Sequence, residues 1–373
     1  MVSRSSSLTS ESREKQADEH SFDLGRLRSP KQLIDAGLVL EGDRDAHEDL
    51  ASRYDIGVSA HVYSRIADKG NALSDPVGRQ YVPSVKELKI QNNEMNDPIG
   101  DDVYSPVRGI VHRYPDRVLF KVTNVCAVYC RYCFRREMIG AGADHLSDDD
   151  IEHALDYIRA QKSIWEVILT GGDPLVLSPR RLSYILQELD KISHVEVIRI
   201  HTRLPIVDPG KINDTLISVL KSVPKGIHIV LHVNHTQELS DKVKSSIFSL
   251  RMAGCSLFSQ SVLLKNVNDN AEVLENLFRK LTCLHVHPYY LHHMDRAKGT
   301  SHFRVSLERG MEIMRDLQGR VSGLCLPKYM LDIPGGYGKI PIDSGHVTRL
   351  DGATYQVVDY QGDVHLYIDT GEE

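Results

Sequence analysis

The sequence lacks a long apolar run, an excess of one charge and a cysteine-rich framework. Its apolar runs are broken by Lys, His or Gly well before the roughly 18 residues that a membrane helix needs, so no membrane span is predicted. Among 373 residues, 45 Lys and Arg are balanced by 51 Asp and Glu, which leaves a net charge of −6. This balance predicts no general attraction to nucleic acid or membranes.

The N-terminus has no recognisable targeting signal. Its first twenty residues, MVSRSSSLTSESREKQADEH, contain no apolar core and carry four acidic side chains. We therefore expect a cytosolic protein whose Ser-rich segment 1–20 is disordered. The six cysteines are too few for a disulfide scaffold, and three of them lie within eight positions. In a reducing compartment, such a cluster indicates metal or redox chemistry.

The order of apolar segments predicts an α/β architecture. Residues 21–100 are polar and contain short helical segments such as SPKQLIDAGLV and SVKELKI. From Val118 onward, short β-rich runs alternate with amphipathic stretches. The runs are VLFKVT, EVILT, VEVIRI, IHIVLHV, SLFSQSVLL and CLHVHPYYL, beginning at residues 118, 166, 195, 227, 256 and 283. The last five recur at about the length of one strand-helix unit.

Helix signals lie between these runs. Ser147 and Ser178 are placed to cap two helices, and Pro179 suits a first helical position. Gly254 and Gly319 stand where left-handed C-caps are expected. Six strand-helix units in series predict a parallel sheet, wound either as an open doubly wound sheet or as a partial (β/α)6 barrel of the TIM type.

The segment after Gly319 has a different pattern. CLPKYMLDIPGGYGKIPI is a strand-like run broken by glycines, and HVTRLDGATYQVV predicts a hairpin that turns at Asp351 and Gly352. The predicted organisation is therefore a disordered segment 1–20, a helical region 21–100, an α/β core 101–320 and a C-terminal segment 321–373 with a small β element.

The clustered cysteines Cys126, Cys130 and Cys133 follow the first β run with the spacing C-x3-C-x2-C. Zinc would need a remote fourth ligand, and structural thiols without metal are another alternative. On a four-iron cubane, three thiolates leave one iron open to a small molecule. With its Arg and aromatic neighbours, the motif resembles the radical S-adenosylmethionine (SAM) superfamily, in which the open iron chelates the methionine end of SAM and cleavage yields a 5′-deoxyadenosyl radical.

Polar residues past each predicted strand agree with this resemblance, because active sites of such barrels lie at the carboxyl ends of the strands. The GGD after the second run resembles the motif that holds the amino group of SAM, although a plain strand-to-helix turn has the same sequence. The resemblance implies cofactor contacts from Tyr132, Gly171, Gly172, Asp173, His232 and Gln260. The same predicted rim also carries His201, Arg203, Asn234 and Asp295.

The C-terminal segment carries a second resemblance. DIPGGYGKIP places Lys339 on a Gly-rich turn that lacks the Gly and the Ser or Thr of a phosphate-binding P-loop. Alone, such a lysine is usually just solvent-exposed. Together with the cysteine motif, it resembles the lysine 2,3-aminomutase family over residues 97–350, in which this lysine binds pyridoxal 5′-phosphate (PLP). HRYPDRV matches the segment near PLP, which implies contacts from Arg113, Tyr114 and Arg117.

The resemblance also implies how a substrate binds. It pairs Arg135 with the substrate carboxylate and Asp295 and Asp332 with the side-chain ammonium of lysine. Relatives that act on glutamate replace such acids, because two carboxylates repel a third. No cysteine follows Cys325, so the structural zinc of some family members, and the oligomer contacts that depend on that zinc, are not expected. HHMDRAKG resembles the branch that makes (R)-β-lysine for elongation factor P.

These features predict an L-lysine 2,3-aminomutase, an isomerase with a [4Fe-4S] cluster, SAM and PLP. Its expected partners are an amino acid, a one-electron reductant, further copies of the chain in a homo-oligomer and a ligase that modifies elongation factor P. Three alternatives stay open: the same machinery acting on arginine or a lysine analogue, an inactive iron-sulfur scaffold, and a radical enzyme that modifies RNA or peptides. An inactive scaffold would have no reason to retain all these residues, and the RNA alternative lacks a basic stretch.

Overall fold

A nine-stranded sheet forms the centre of the molecule, and its strands follow one another in chain order. The computed structural model describes residues 25–140, 146–342, 345–352, 354–359 and 361–368, so the predicted disordered segment 1–20 lies outside the described residues. The strands are β1 (Ile110–Tyr114), β2 (Arg117–Thr123), β3 (Glu166–Gly171), β4 (Val197–Thr202), β5 (Ile227–His232), β6 (Ser256–Val262), β7 (His287–His292), β8 (Lys328–Ile333) and β9 (Gly338–Pro341).

Strands β2 to β8 run parallel, whereas β1 and β9 pair antiparallel at the two edges. The predicted partial TIM-like barrel is confirmed, with β8 as an additional parallel strand. Strand β7 begins at His287 rather than at the predicted residue 283. The reason is that Cys283 still belongs to a helix and His285 adopts a left-handed φ of 58°.

Helices cover the outside of this sheet. Between β2 and β8, every pair of successive parallel strands is connected through at least one helix. The α-helices are α1 (Pro30–Asp35), α2 (Arg44–Arg53), α3 (Ala60–Arg65), α4 (Gly78–Tyr81), α5 (Asp148–Ala160), α6 (Pro179–Lys191), α7 (Leu204–Val207), α8 (Asp214–Lys221), α9 (Asp241–Met252), α10 (Ala271–Cys283) and α11 (Leu307–Leu317). No helix in these ranges is long and apolar enough to cross a membrane.

The helix starts predicted from sequence are confirmed. The Ser147 hydroxyl accepts a hydrogen bond from the N–H of Asp150 at the start of α5, and the Ser178 hydroxyl accepts one from the N–H of Arg181 at the start of α6. The apolar side chains of α6 recur at helical spacing and are fully buried against the sheet. Local capping and burial of one face therefore specify these helices together.

Alternation along the strands gives the barrel a polar lumen. In β4, Ile198 and Ile200 are fully buried, whereas Arg199 and His201, which alternate with them, stay partly accessible. Successive side chains of a strand point to opposite faces, so the isoleucines pack under the helices and the polar residues face the lumen. His201 and His232 of β5 meet edge to face, with their ring centroids 6.0 Å apart.

A side chain brings the two edges of the barrel together. Within the described residues no strand ladder joins β1 to β9. The Tyr114 hydroxyl instead accepts a hydrogen bond from the backbone N–H of Lys339 at 2.8 Å. Gly338 permits this approach, because a Cβ there would lie 2.9 Å from the hydroxyl and its φ of +94° disfavours other residues. The barrel is therefore nearly closed.

The regions on either side of the barrel contain the predicted types of secondary structure. The N-terminal region is helical, although the predicted helix in SVKELKI is only a 3-10 turn, Val85–Leu88. The predicted hairpin is present in a small antiparallel sheet, where Asp351 faces Thr354 across the turn. This sheet comprises β10 (Val347–Asp351), β11 (Thr354–Val358) and β12 (Val364–Ile368). The domain boundaries stay predictions.

Candidate active site

The cysteine loop follows β2, and the N-terminal region holds it by main-chain hydrogen bonds. The N–H of Tyr129 donates to the carbonyl of Gly57 at 3.1 Å, and the N–H of Arg131 donates to the carbonyl of Gln80 at 2.8 Å. The Arg26 guanidinium donates to the carbonyl of Cys126 at 2.9 Å. Residues far away in sequence thus fix the backbone that carries the thiols.

A buried carboxylate also anchors this loop. Glu87 pairs with Arg131 at 2.6 Å and also with Arg136, and all three side chains are buried. Burial alone would raise the pKa of Glu87, but the two guanidinium groups outweigh burial and hold that pKa at about 2. Glu87 is therefore ionised at neutral pH and ties the N-terminal region to both sides of Cys133.

The thiols of Cys126, Cys130 and Cys133 line one common pocket. Among the described residues no three His, Cys, Asp or Glu side chains converge as ligands of a single metal ion. A four-iron cluster binds each thiolate at a different iron, so its ligands lie farther apart than those of one ion. Burial raises the pKa of Cys133 to about 11, and bound metal would offset this cost because it deprotonates a coordinating thiol. The donor set therefore fits an iron-sulfur cluster.

The GGD segment packs directly against the start of the cysteine loop. A Cβ at Gly171 or Gly172 would collide with the backbone oxygen of Thr123 or Val125, and Gly171 has a φ of +104°. The Asp173 carboxylate is buried and accepts hydrogen bonds from the Thr202 hydroxyl and from two backbone N–H groups that follow β4. The segment thus positions the loop, and its contact with SAM stays a prediction.

A buried polar network lies beneath the loop. Arg203, directly after β4, donates to the Cys130 sulfur at 3.2 Å and also to the Tyr132 hydroxyl. The same hydroxyl accepts a hydrogen bond from the Asn234 amide at 2.7 Å. Glu238 neutralises Arg203 at 2.8 Å. Of these residues, Arg203 and Asn234 were expected only as rim groups, and Glu238 was not singled out from the sequence.

His232 and Gln260 are paired neighbours at the ends of β5 and β6. Burial and, next, the positive charges of Arg203 and Arg135 lower the pKa of His232 to about 3. The imidazole is therefore neutral at physiological pH. A neutral ring and an amide can donate or accept hydrogen bonds near the carboxyl ends of these two strands, as the predicted SAM contacts require.

The segment predicted to approach PLP lies beside Lys339. Tyr114 contacts its backbone, as described above, and the guanidinium of Arg117 stacks over the Tyr114 ring at 4.0 Å. Arg113 turns the other way and donates to the carbonyl of Ile99 at 2.6 Å. Tyr114 and Arg117 are thus adjacent to the predicted PLP lysine, whereas Arg113 binds the N-terminal region.

Arg135 is buried and bound to a carboxylate that sequence reasoning missed. Asp101 accepts hydrogen bonds from two of its nitrogens, at 3.0 and 3.3 Å, and also pairs with Arg113 at 3.4 Å. Burial would raise the pKa of Asp101, but Arg135 and Lys121 hold it below its usual value. Asp101 stands in a polar stretch, NDPIGDD, whose pattern carries no signal for a role at the barrel.

Lys339 and Asp332 form an ion pair across β8 and β9. The second oxygen of Asp332, Oδ1, is buried and has no hydrogen-bond partner among the described residues. Another side chain missed from the sequence, His292, places its Nδ1 3.8 Å from the paired oxygen. A primary ammonium and a buried carboxylate with spare capacity therefore lie together at the end of β8.

Asp295 lies near this pair. Its pKa is raised to about 7, chiefly by burial and next by the charge of Asp332, while Lys339 and Arg135 act in the opposite direction. Asp295 and Asp332 both line a cavity of about 300 Å³. The structure thus brings Lys339, both acids and Arg135 within electrostatic reach of one another.

Comparisons with known proteins identify similar sequences. A model described as the radical SAM superfamily matches residues 120–277. An L-lysine 2,3-aminomutase from Methanococcus maripaludis is 42% identical over 83% of this chain and 71% of its own. A putative L-lysine 2,3-aminomutase from Aquifex aeolicus is 40% identical over 92% of each chain. A glutamate 2,3-aminomutase from Clostridioides difficile is 37% identical over 72% of this chain and 64% of its own.

These relatives define a set of cofactors. Radical SAM proteins use a [4Fe-4S] cluster and SAM, and the lysine 2,3-aminomutases also use PLP. In this fold, the cysteine loop with its common pocket is the site that suits a cluster. The lysine beside Tyr114 and Arg117 suits a cofactor with an aldehyde and a phosphate.

Proposed function

Because this chain belongs to the lysine 2,3-aminomutase family of radical SAM enzymes, we propose that it interconverts L-lysine and β-lysine by moving the amino group between C2 and C3. The main support is the ion pair of Asp332 with the Lys339 ammonium. That pair demonstrates a buried carboxylate able to bind a primary ammonium, which is the group that ends the lysine side chain.

Electrostatics favour lysine over an acidic substrate. Asp295 and Asp332 offer two carboxylates near one cavity, and each charge-assisted hydrogen bond to an ammonium contributes roughly 1.5 to 3 kcal/mol. Two such bonds give roughly two to four orders of magnitude in affinity over an uncharged isostere. A glutamate side chain would be repelled by Asp332 and by the ionised form of Asp295. We therefore expect this chain to differ in substrate from the glutamate 2,3-aminomutase it resembles.

Arg135 is proposed to bind the other end of the substrate. Asp101 engages only some of its N–H donors, and the remaining donors can pair with a carboxylate. The charge of Arg135 reaches Asp295 strongly enough to affect its pKa, so the two charged ends of one small amino acid can be held together. With its carboxylate bound to Arg135 and its ammonium bound to the acids, the substrate would have one fixed orientation relative to the cluster.

The cofactors supply the radical and the electron sink, and the protein holds them. Cys126, Cys130 and Cys133 are proposed to bind the cluster, with Tyr132, Gly171, Gly172, Asp173, His232 and Gln260 around SAM. Lys339 is proposed to hold PLP, with phosphate contacts from Arg117 and Tyr114. The contact predicted for Arg113 would require its guanidinium to leave the carbonyl of Ile99. A lysine nitrogen bonded to PLP carries at most one N–H instead of three, and the buried Oδ1 of Asp332 has no hydrogen-bond partner among the described residues. Asp332 would therefore retain an oxygen for the substrate ammonium.

Arginine is a second candidate substrate. The cavity that Asp295 and Asp332 line measures about 300 Å³, and it leaves room beyond the two acids for a cation larger than an ammonium. A guanidinium would satisfy both carboxylates through parallel hydrogen bonds. Lysine remains the first candidate because the ion pair at Asp332 already involves a primary ammonium.

The direct test is anaerobic incubation of the cluster-loaded protein with SAM, PLP, a reductant and an equimolar mixture of L-lysine, L-arginine and L-glutamate. Mass spectrometry should find β-lysine as the main product. Asp332→Asn should lower kcat/KM for lysine by about two orders of magnitude, whereas Asp35→Asn, at an exposed ion pair, should leave it unchanged. β-Arginine or β-glutamate as the main product would contradict the proposal.

PLP attachment has its own test. The PLP-loaded protein should show the visible absorbance band of a lysine-PLP imine, and Lys339→Ala should lack it. Lys121→Ala is a matched control, because this lysine also belongs to a barrel strand but lies outside the glycine turn. A band that survives in Lys339→Ala would show that another lysine holds PLP.

The proposed chemistry also implies a compartment and partners for the enzyme. Thiolates that bind iron need a reducing compartment, so we place the enzyme in the cytosol beside a one-electron reductant. The β-lysine product would be passed to a ligase that modifies elongation factor P. A homo-oligomer is also proposed, without the zinc site that some relatives form.

A further inference from the structure

Arg203 makes an unusual set of contacts for a residue at the end of a strand. Its Nη1 donates to the Cys130 sulfur at 3.2 Å and to the Tyr132 hydroxyl. Its Nη2 donates to Gln80 at 2.6 Å and to Glu238 at 2.8 Å. Four of its five N–H groups are thus engaged, and one of them contacts a predicted iron ligand.

The network leaves the guanidinium little freedom to move. Glu238 accepts further hydrogen bonds from the backbone N–H groups of Asn234 and His235, both at 2.8 Å. The Tyr81 hydroxyl donates to the same carboxylate at 3.2 Å. Arg203, Glu238 and Gln80 are all nearly inaccessible to solvent. The N–H group that faces Cys130 is therefore held in place by the N-terminal region, through Gln80, and by the segment after β5, through Glu238.

A fixed cation beside a cluster ligand has an electronic consequence. Reduction adds one negative charge to the cluster and its thiolates. A hydrogen bond to a ligand sulfur stabilises that added charge and is one of the main determinants of cluster potential. The effect is larger in a buried site, where charges interact more strongly than in water. Arg203 should therefore favour the reduced cluster.

We propose that Arg203 is a positioning residue that raises the reduction potential of the [4Fe-4S] cluster through its hydrogen bond to the Cys130 sulfur. Cys130 thereby differs from the other two ligands, since the described residues offer no comparable guanidinium contact to the sulfur of Cys126 or Cys133. The inference rests on the cluster that the family uses and does not depend on which amino acid is the substrate.

The test removes the hydrogen bond without leaving a lone buried charge. The double variant Arg203→Met with Glu238→Gln deletes both members of the ion pair, because removing only one leaves a costly unpaired charge. Arg203→Lys is a second variant, which keeps the positive charge but loses the pair of nitrogens that contacts Cys130 and Glu238 at the same time. The control is Arg199→Lys. Arg199 lies on β4, the strand that precedes Arg203, and its guanidinium pairs with Glu166 of β3 at 2.7 Å.

The readout is an anaerobic redox titration of the cluster monitored by electron paramagnetic resonance, with iron and sulfide measured per chain. At a fixed potential, the ratio of reduced to oxidised cluster should fall about tenfold in the double variant, a shift of about 59 mV for a one-electron couple. Arg203→Lys should shift in the same direction, and Arg199→Lys should match the wild type.

A wild-type potential in the double variant would overturn the proposal, as would an equal shift in Arg199→Lys. Loss of the cluster from both Arg203 variants would also overturn it, because Arg203 would then only hold the loop. The titration needs neither lysine nor PLP. A protein that shows the shift but makes no β-lysine would therefore contradict the proposed function and support this inference.

Discussion

At the scale of single residues, the buried carboxyl group of Asp295 lowers the stability of the fold. Burial and the neighbouring Asp332 raise its pKa to about 7, whereas an unfolded chain ionises an aspartate near its ordinary value of 3.8. The native state thus retains the proton more tightly than the unfolded state. The stability of the cofactor-free protein should consequently fall as the pH rises from about 4 to 7.

The variant Asp295→Asn tests whether this carboxyl group lowers the free energy of unfolding. At pH 8 the variant should have a larger free energy of unfolding than the wild type, by on the order of 1 kcal/mol, because it removes a buried negative charge beside another. The gain should be smaller at pH 5, where the native Asp295 is protonated. Urea unfolding of the cofactor-free protein at both pH values measures the difference.

The control for this prediction is Asp35→Asn, whose carboxylate is exposed beside Lys31. At both pH values this variant should have nearly the same free energy of unfolding as the wild type. An Asp295→Asn variant with the same stability difference from wild type at pH 5 and pH 8 would show that Asp295 does not titrate near neutrality.

Single residues were predictable from the sequence where a short motif carries them. Cys126, Cys130, Cys133 and Lys339 stand in motifs whose spacing is visible in the chain, although their roles as ligands and PLP lysine stay predictions. Asp101 was not predictable, because its contact with Arg135 joins residues 34 positions apart. Such a contact depends on how the N-terminal region packs on the cysteine loop and leaves no local pattern.

At the scale of elements, the cysteine loop depends on a carboxylate outside it. Glu87 ends up between Arg131 and Arg136 only because the N-terminal region packs across the loop. Its pKa of about 2 lies below the ordinary value of 4.5. The ion pairs therefore stabilise the fold above about pH 4.5, and this contribution is lost as the pH falls towards 2.

Glu87→Gln should lower the free energy of unfolding at pH 7 by about 3 kcal/mol, because it leaves two buried guanidinium groups without a counter-charge. It should also reduce the iron bound per chain, since the loop loses its anchor. Urea unfolding and iron analysis measure the two effects. Glu41→Gln, at an exposed pair with Arg44, should leave the free energy of unfolding close to that of the wild type.

Normal iron content together with wild-type stability in Glu87→Gln would show that this carboxylate does not hold the loop. Both measurements report on the cysteine loop itself and do not depend on which reaction the enzyme catalyses.

Elements were predictable in proportion to their local signals. Helices α5 and α6 carry Ser caps and a regular apolar face, and both begin where predicted. Strand β1 was missed because HRYPDRV reads as a turn with basic residues, and its pairing with β2 supplies the strand geometry. Strand β8 was seen only as a strand-like run, since a parallel partner is distant in sequence.

At the scale of the whole molecule, the N-terminal region and the barrel share contacts that include the site. Arg79 donates to the carbonyls of Lys265 and His302, both at 3.1 Å, and Gln80 binds Arg203. These contacts tie helix α4 to loops after β6 and β7. The predicted boundary near residue 100 should therefore not separate two independently folding units.

We expect the two regions to unfold together. Trp165, the single tryptophan of the chain, precedes β3 and reports on the barrel by fluorescence. Hydrogen exchange followed by mass spectrometry reports on helices α2 to α4. In urea, both probes should give the same midpoint, as two-state unfolding requires. Loss of protection in α2 to α4 well below the fluorescence midpoint would contradict this expectation.

The central claim is that the enzyme moves the amino group of lysine from C2 to C3. Its most direct test is anaerobic incubation of the cluster-loaded, PLP-loaded protein with SAM, reductant and L-lysine labelled with nitrogen-15 at the α-amino group, followed by nuclear magnetic resonance of the product. The account predicts β-lysine with the label on C3 and no such product from Cys130→Ala. Label that stays on C2, or a product that forms equally in Cys130→Ala, would contradict it.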